Sequence, residues 1–384
     1  MDITSEWTAT EQRLAREADS LAELLDGLRG RISPALIGDR EWQRLLARAR
    51  ELPAGIAAYP FGFELPLHER RPGADLGVSV FGGTGPGAFF EQGTGSDGTA
   101  SYAAGIARLL RATAPEDAPL RRILSRKMML EYDVDAAPQG VRPNPGIFLR
   151  PSGQPIPGGE GRRGIEDIGI VIDALVSSVG WKRDPAEVRQ AERLYLAMEK
   201  DTKIESFGAF PSRQRSLRIA VTGFRTLSSL VAYLERAGWS GPHALVATTL
   251  SRFEERGAFK SLAANFDVVA DALGPTLGLS ILARDRDPND PGYWVDRPHQ
   301  WNPLIQSLRE EGPAVEEKLA SLAGWSQEPA TLFGKTGPFL LMQCIHHVKL
   351  VLAGDRLTQV KAYLFMLLSG SMPAGQTSAP SSRR

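Results

Sequence analysis

The chain has 384 residues, enough to bury a large core in one domain or in two modest ones. Its 45 lysines and arginines are balanced by 45 aspartates and glutamates, so the charge predicts neither a nucleic-acid partner nor an anionic membrane surface as a partner. The single cysteine, Cys344, excludes an internal disulfide and a cysteine-based metal cluster.

The sequence also lacks targeting and membrane signals. No stretch approaches the roughly 20 consecutive apolar residues of a membrane-spanning helix. Residues 1–12 are polar and acidic, whereas a secretory signal begins with basic residues and continues with apolar ones. We therefore expect a cytoplasmic protein.

Both ends of the chain differ in pattern from the middle. Leucines recur at three- and four-residue steps between Leu14 and Leu28, which places them on one face of a helix. Residues 1–60 are thus predicted to be a helical segment packed on the rest of the fold. Residues 369–384 are rich in Ser, Pro and Ala and have few apolar side chains, which is typical of a disordered tail.

Residues 61–368 alternate between two kinds of segment. One kind is a pair of short stretches with alternating polarity, split by Gly, Pro or Asp, which predicts a β-hairpin. The other kind is amphipathic helix, with one or two helices in each gap between hairpins. Five hairpins are predicted, at 63–81, 130–151, 206–224, 265–285 and 346–367.

Each predicted strand has one apolar face and one more polar face. The apolar faces need a covering of helices, whereas the polar faces suit the wall of a solvated cavity. An α+β fold with a ten-stranded antiparallel β-barrel of five hairpins, helices outside and a wet lumen inside, satisfies both faces and leaves no open edge. The lumen face is predicted to carry Glu64, His68, Glu131, Asp133, Arg218, His347, Lys349, Lys361 and Tyr363.

This cyclic order of hairpins and helices resembles the ABBA or PT-barrel fold of aromatic prenyltransferases, and its five hairpins are most similar to the dimethylallyltryptophan synthase branch. In that family the second strand of a hairpin tends to read Val-Lys-x-Tyr, which the segment VKAYL reproduces with Lys361 and Tyr363. The segment LRIAV keeps the cation as Arg218. FELPLHE is similar to the family's first strand, and this resemblance gives Glu64 the place of the substrate-binding general base.

Other lumen positions depart from the family's pattern, because small or apolar residues stand where the family has its cations and tyrosines. These positions are Gly77, Ser79, Gly146, Phe148, Ala220, Gly278 and Ser280.

The leading functional hypothesis is transfer of a prenyl group from an allylic diphosphate to an aromatic, indole-like acceptor, either a small molecule or a peptide. The resemblance implies that the lumen cations hold the diphosphate and that Glu64 removes the acceptor's proton. It implies no metal ligands and no cofactor. The predicted binding residues are Arg218, His347, Lys349, Lys361, Tyr363, Glu131 and Asp133.

Two alternatives stay open, since a fold alone does not determine function. In the first, small residues widen the lumen, and its carboxylates perform acid–base chemistry on a peptide or polycyclic metabolite without any diphosphate. In the second, the barrel binds such a molecule without reacting. A cationic lumen would favour the diphosphate, and an acidic or neutral lumen would favour the alternatives.

Three motif-like segments lack the residues that their chemistry requires. GKTG at 334–337 has Pro329 where a phosphate-binding loop needs glycine, and GGTGPG at 82–87 fails the spacing of a dinucleotide-binding loop. The acidic run at 285–292 lacks the sixth-position glycine and closing glutamate of a calcium loop. No DDxxD segment occurs, so the sequence predicts no magnesium ligands of that kind.

Several polar residues have two interpretations. His346 and His347 are adjacent on a predicted strand and are expected to face opposite ways, with His347 on the lumen side. Glu64 is either a general base or a carboxylate paired with Arg218 or Lys349. Glu131 shares a face with Asp133, so either repulsion raises the pKa of one carboxylate or the pair belongs to a buried ion network.

Overall fold

Antiparallel strands form the centre of the computed structural model, which describes residues 3–92, 100–124, 127–134, 144–151, 156–158, 164–284, 295 and 297–370. The strands are β1 (Phe61–Pro66), β2 (Asp75–Phe81), β3 (Lys127–Tyr132), β4 (Gly146–Leu149), β5 (Ile156–Pro157), β6 (Lys203–Ala209), β7 (Leu217–Phe224), β8 (Ser261–Val269), β9 (Ala272–Leu282), β10 (Ala330–Gly334), β11 (Gly337–Ala353) and β12 (Arg356–Ser369).

Ten of these strands close into a barrel. Their order is β11, β12, β1, β2, β3, β4, β6, β7, β8 and β9, and β9 pairs with β11 to complete the ring. The short strands β5 and β10 lie outside the ring, paired with β6 and β11. The predicted barrel of five antiparallel hairpins is therefore confirmed.

Helices precede the barrel and fill the gaps between its hairpins. In the described part of the chain they are α1 (Ile3–Glu17), α2 (Leu21–Leu28), α3 (Asp39–Ala49), α4 (Gly85–Gln92), α5 (Ala100–Ala112), α6 (Pro119–Leu124), α7 (Ile165–Ser178), α8 (Pro185–Leu196), α9 (Leu227–Arg236), α10 (His243–Glu255), α11 (Asn302–Glu311) and α12 (Glu316–Ala323). None of these helices is both long and apolar enough to cross a bilayer.

The hydrophobic core lies between the outer face of the barrel and the helices. On β1 the alternate residue Phe63 points outward, where its ring lies 6.2 Å from Trp42 of α3 and 6.3 Å from Trp325. On β12 the outward residues Ala362 and Leu364 are fully buried. Period-two alternation thus gives one face of each strand to the helices and leaves the other face to the lumen.

The glycine-rich segment that begins at Gly82 is helical in part, because α4 begins at Gly85. The Glu11 carboxylate accepts a hydrogen bond from Gly85 N at 2.7 Å, and Thr84 Oγ1 accepts one from Gly87 N at 3.2 Å. These contacts satisfy backbone donors of the first helical turn, which offsets the poor helix propensity of glycine. Residues 93–98 lie outside the described residues, as do the acidic run at 285–292 and residues 371–384 of the predicted tail.

Candidate active site

The lumen near the hairpin turns is built around Glu64. Glu64 lies opposite Asp75 of β2 and Tyr363 of β12 in the strand register. Its side chain is 6% exposed, and its Oε1 accepts a hydrogen bond from Lys361 Nζ at 2.6 Å. The cation paired with Glu64 is thus Lys361, and neither of the two partners considered from the sequence.

The charge of Glu64 is held by its surroundings. Burial alone would raise its pKa, but the ammonium groups of Lys361 and Lys349 outweigh that effect and hold the pKa well below its usual range. Glu64 is therefore ionised at every physiological pH. A carboxylate in this state is a good hydrogen-bond acceptor but a weak base.

Lys349, Tyr363 and His347 were all predicted on the lumen face, and the structure brings them together. Lys349 Nζ donates a hydrogen bond to Tyr363 Oη at 2.7 Å, and the Tyr363 ring stacks on His347 at 4.1 Å and 11°. Burial lowers the pKa of Lys349 to about 8, with Arg218 adding to the effect and Glu64 opposing it. The lumen wall therefore carries the ammonium group of Lys349 beside the stacked rings of Tyr363 and His347.

The expectation that His346 and His347 face opposite ways is wrong. A β-bulge interrupts the register of β11 between Ile345 and His347, and a bulge turns consecutive side chains toward one face. The His346 ring lies edge-on to Phe365 at 5.0 Å, on the same face of β12 as Tyr363. The two Nδ1 atoms are 2.7 Å apart, so one ring donates to the other.

Arg218 is also in the lumen, where it is already paired. Its Nε lies 3.2 Å from Asp267 Oδ1, and its guanidinium lies 4.6 Å from the centre of the Phe210 ring. Thr276 Oγ1 donates a hydrogen bond to the other Asp267 oxygen at 3.0 Å. Asp267 lies two residues after Asn265 on the lumen face of β8, opposite Arg218, and was not among the residues predicted from the sequence.

Arg213 is a further lumen cation that sequence reasoning missed. It lies in the turn between β6 and β7, and its Nε donates to Asp133 Oδ2 at 2.7 Å while its guanidinium stacks 3.8 Å above Phe210. The segment PSRQRS predicts a hairpin turn and gives no sign of a lumen position. A turn at the barrel rim places its side chains over the lumen, so the arginines of such turns are candidates by position alone.

Two lumen carboxylates have pKa values near neutrality. Glu131 is 4% exposed, and burial followed by the charge of Glu64 raises its pKa to about 8. Burial and Glu64 likewise raise the pKa of Asp75 to about 7. Asp133, the neighbour expected to repel Glu131, is neutralised by Arg213.

Charges of both signs alternate at this end of the lumen, so it is close to neutral. The cations are Arg213, Arg218, Lys349 and Lys361. The carboxylates are Glu64, Asp75, Glu131, Asp133 and Asp267. The described residues contain no cluster of three or more His, Cys, Asp or Glu side chains arranged to hold a metal ion.

The opposite end of the lumen is cationic, and its residues were not predicted from the sequence. Lys127 of β3 pairs with Phe81, and burial together with nearby Arg150 lowers the Lys127 pKa to about 7. Burial and Arg150 also lower the pKa of Lys203 of β6. Arg150 forms an ion pair with Glu205. These residues occupy the ends of strands, where the alternating pattern is too short to assign a face.

Small lumen residues widen the cavity less than the sequence suggested. A Cβ atom at Gly146 would lie 2.5 Å from the Phe210 ring, and one at Gly278 would lie 3.2 Å from Lys349. Ser280 is hydrogen-bonded to Asn265 at 3.0 Å. Only at Gly77, among these positions, would a Cβ have no heavy atom nearer than 4.0 Å. His68, predicted on the polar face, has its Nδ1 3.1 Å from the carbonyl oxygen of Val360.

Comparison with solved structures identifies this architecture. No protein-family model and no curated protein matches the sequence. A 6-dimethylallyltryptophan synthase from Micromonospora olivasterospora, solved in complex with DMASPP and Trp, superposes with a TM-score of 0.51 over 90% of this chain and 97% of its own, at 13% identity. AnaPT from Neosartorya fischeri gives a TM-score of 0.51 over 92% of each chain at 10% identity. The fold is the PT barrel.

The likeness extends around the whole PT barrel, because it covers nine-tenths of both chains. A second 6-dimethylallyl tryptophan synthase structure gives the same TM-score of 0.51, over 90% of this chain and 96% of its own, at 14% identity. The expected fold is confirmed. At these identities the likeness concerns the fold, and chemistry has to be argued from the lumen itself.

Proposed function

We propose that this PT barrel binds an allylic diphosphate and an aromatic acceptor in its lumen and transfers the prenyl group to the acceptor. One observation carries the proposal: the predicted residues Lys349, Lys361 and Tyr363 form one contiguous group with Glu64, beside an aromatic wall. A protein of the same fold was solved with DMASPP and Trp, which supports the pairing of donor and acceptor.

The cations act on the leaving group. When the C–O bond of the donor breaks, both electrons go to the diphosphate oxygen. Lys349 and Lys361 would stabilise that charge, with Arg218 as the third contact, through charge-assisted hydrogen bonds. Diphosphate binding would loosen the Arg218–Asp267 pair, whose 3.2 Å separation already exceeds that of the Lys361–Glu64 pair.

The aromatic wall acts on the allylic cation. The Tyr363 ring stacks on His347, and Phe365 follows Tyr363 on the same face of β12. Aromatic faces stabilise a cation while excluding the water that would quench it. The acceptor ring then attacks the cation, and a proton leaves the ring. We retain Glu64 as a carboxylate that contacts the acceptor.

The cationic end of the lumen selects the acceptor. Lys127 and Lys203 each carry a pKa lowered by burial and by Arg150, which means that an added negative charge would be stabilised there. We propose that an anionic group of the acceptor, such as a carboxylate, lies at this end while its ring reaches toward Glu64.

The experiment has a binding arm and a reaction arm. Dimethylallyl thiolodiphosphate, which resists ionisation, is titrated calorimetrically, and dimethylallyl diphosphate is then incubated with L-tryptophan and a panel of indoles. We expect binding that weakens at least tenfold in Lys349→Met, and a prenylated product. Arg309→Gln, which alters an exposed arginine outside the barrel, is the matched control. Absence of binding at millimolar analogue contradicts the proposal.

A second candidate function is favoured by the charge balance. Lys361, Arg213 and Arg218 each lie beside a carboxylate, so the lumen is not the cationic shelf that a diphosphate would favour. This balance suits acid–base chemistry on a peptide or polycyclic metabolite without a diphosphate. Failure of the thiolodiphosphate to bind, together with binding of aromatic ligands, would favour this function or, without turnover, a binding barrel.

We propose that residues 1–60, 61–368 and 369–384 are a helical segment, the barrel and a tail, and that the protein is cytoplasmic. Limited proteolysis followed by mass spectrometry tests the division, since cleavage confined to the third region would leave the barrel intact.

A further inference from the structure

We propose that Glu131 and the adjoining glycines Gly62 and Gly77 form the acceptor subsite, where a flat aromatic ring lies on the glycines, its N–H donates to Glu131, and Glu131 removes the proton released by prenylation. The inference deepens the proposed function and rests on it for the proton step. It names Glu131, in place of Glu64, as the base.

The three residues lie side by side across the barrel wall. Gly62 of β1 pairs with Gly77 of β2, and Gly77 pairs with Glu131 of β3. On the other side Gly62 pairs with Phe365 of β12. Side chains at paired positions share a face and lie about 5 Å apart. A floor two glycines wide is therefore bounded by an aromatic ring on one side and a carboxylate on the other.

The floor is open and suited to a planar group. At Gly62 a Cβ would lie 1.8 Å from the Leu364 carbonyl oxygen, so no side chain fits and the strands approach closely. At Gly77 the nearest heavy atom to an added Cβ is the Gly62 carbonyl oxygen at 4.0 Å, so space is free above the backbone. A ring lying on this backbone would meet Phe365 edge-on or face-on.

Glu131 has a buried oxygen that no described residue satisfies. Its side chain is 4% exposed, and Oε1 has no hydrogen-bond partner among the described residues. Arg213 Nη2 lies 3.8 Å from this oxygen, beyond hydrogen-bond distance, because Arg213 is bound to Asp133. A buried acceptor without a donor is costly, and an acceptor molecule's N–H on the glycine floor would supply the donor.

The two glutamates of the lumen have opposite acid–base character. Glu64 is fixed as a carboxylate by Lys361, whereas burial and the charge of Glu64 raise the pKa of Glu131 to about 8. The other charged groups that act on Glu131 are Arg213, Arg218, Lys349 and Lys361. When their environments shift the pKa values of two carboxylates in opposite directions, the group with the raised pKa can act as the base, and the other remains an anion.

The proton step is balanced without a further reactant. After the new C–C bond forms, the ring C–H bond breaks and its electron pair returns to the aromatic ring. The proton passes to Glu131, which becomes a neutral carboxylic acid. The diphosphate, which the lumen cations stabilise as it forms, is released as the second product, and Glu131 returns its proton to solvent after the products have left.

The first test measures binding alone, so it does not depend on prenyl transfer. L-tryptophan and 1-methyl-L-tryptophan, which lacks the indole N–H, are titrated calorimetrically into the full-length protein and into Glu131→Ala. We expect the unmodified protein to prefer L-tryptophan at least tenfold and Glu131→Ala to lose that preference. Equal preference in both proteins, or no binding of either ligand, overturns the subsite.

The second test probes the floor. Gly77→Leu should fold normally, because an added side chain meets no neighbour at its Cβ, and it should abolish tryptophan binding by filling the space. Gly27→Leu on α2, where an added Cβ would have no atom within 4 Å, is the matched control and should bind normally. Unchanged binding by Gly77→Leu at an unchanged melting temperature contradicts the placement.

The third test concerns the proton. Glu131→Gln keeps an acceptor oxygen but no base, so tryptophan affinity should change less than threefold while the single-turnover rate falls by roughly two to four powers of ten. In the unmodified protein the single-turnover rate should rise as the pH approaches about 8, and this rise should vanish in Glu131→Gln. Glu131→Asp should recover part of the rate. Glu187→Gln, which alters a buried ion pair on α8, is the control for a purely structural loss.

These outcomes separate the subsite from the reaction. If the unmodified protein yields no prenylated product, the proposed function fails, while the N–H preference still decides whether Glu131 binds an aromatic ligand. If product forms and Glu131→Gln turns over at the unmodified rate with the same pH profile, Glu131 is not the base.

Discussion

Lys361 and Glu64 join the last strand of the barrel to the first, with Nζ and Oε1 2.6 Å apart. Backbone pairing between β1 and β12 closes the wall at the same place, so the ion pair lies over the seam on the lumen side. The Glu64 side chain is almost fully buried, while Lys361 keeps about a quarter of its exposure. The charge of Glu64 therefore depends on Lys361 for its stabilisation more than the charge of Lys361 depends on Glu64.

The first prediction follows from that asymmetry. Lys361→Met leaves the buried Glu64 carboxylate without its main partner, so the free energy of unfolding should fall by about 3 kcal/mol. Glu64→Gln should cost less, because Lys361 retains access to solvent. Urea unfolding of both variants and of the double variant Glu64→Gln/Lys361→Met measures the coupling. Additive losses would mean that the pair contributes nothing to stability.

The second prediction concerns donor binding and pH. The pKa of Lys349 is about 8, so its ammonium is lost as the pH rises through that value and affinity for dimethylallyl thiolodiphosphate should fall. Ionisation of Glu131 over the same range acts in the same direction. Lys349→Arg keeps its charge and should lose less affinity between about pH 7 and about pH 9. Calorimetry at the two pH values measures the affinity of each protein for the analogue. An identical loss of affinity in both proteins would exclude Lys349 as the group responsible for the pH dependence.

The third prediction is a stability that declines with rising pH. The folded-state pKa of Glu131 is raised from 4.5 to about 8, so the folded protein binds this proton more tightly than the unfolded chain does. The resulting stability is complete below the unfolded pKa and is lost as the pH rises toward 8. Melting temperatures of Glu131→Gln should decline less over this range. An identical pH dependence in both proteins would refute the assignment.

The fourth prediction concerns the turn GKTG, which binds a carboxylate of the chain itself. Glu17 of α1 accepts a hydrogen bond from Lys335 N at 2.7 Å and further ones from the amide and hydroxyl of Thr336. Burial opposes the effect, but these bonds lower the pKa of Glu17, so the stability they add is present above its unfolded pKa and is lost in acid. Glu17→Ala should speed hydrogen exchange at the Lys335 and Thr336 amides at neutral pH. Unchanged exchange would mean that the β-hairpin alone protects them.

The barrel was predictable because its signal is repeated. Val360, Ala362 and Leu364 show the same two-residue period as the outward residues of every other hairpin, and burial of one face forces that period. The short helix α4 was not predictable, since its first turn is held by Glu11, a residue far away in the sequence. Local propensity carries no information about such a contact.

The candidate site was predictable where strands are regular and not elsewhere. Lys361 and Tyr363 lie on the lumen face because β12 continues without interruption there. The bulge beside His346 breaks the alternation of faces along β11, and Arg213 reaches the lumen from a turn. The alternating pattern alone therefore predicts the position of neither side chain. The ion-pair partner of Glu64 was not predictable either. That Glu64 pairs with Lys361 and not with Lys349 depends on the register between β1 and β12, which are distant in sequence.

The seam between β1 and β12 also decides when the molecule can fold. Glu64 and Lys361 are 297 residues apart, so the wall closes only after nearly the whole barrel has been synthesised. Until β11 and β12 emerge from the ribosome, β1 and β9 are open strand edges able to pair with other chains. Closure over such a separation is slow. A chain truncated before β11 would accordingly aggregate instead of forming a smaller barrel, and nascent chains of this protein would depend on protection of those two edges.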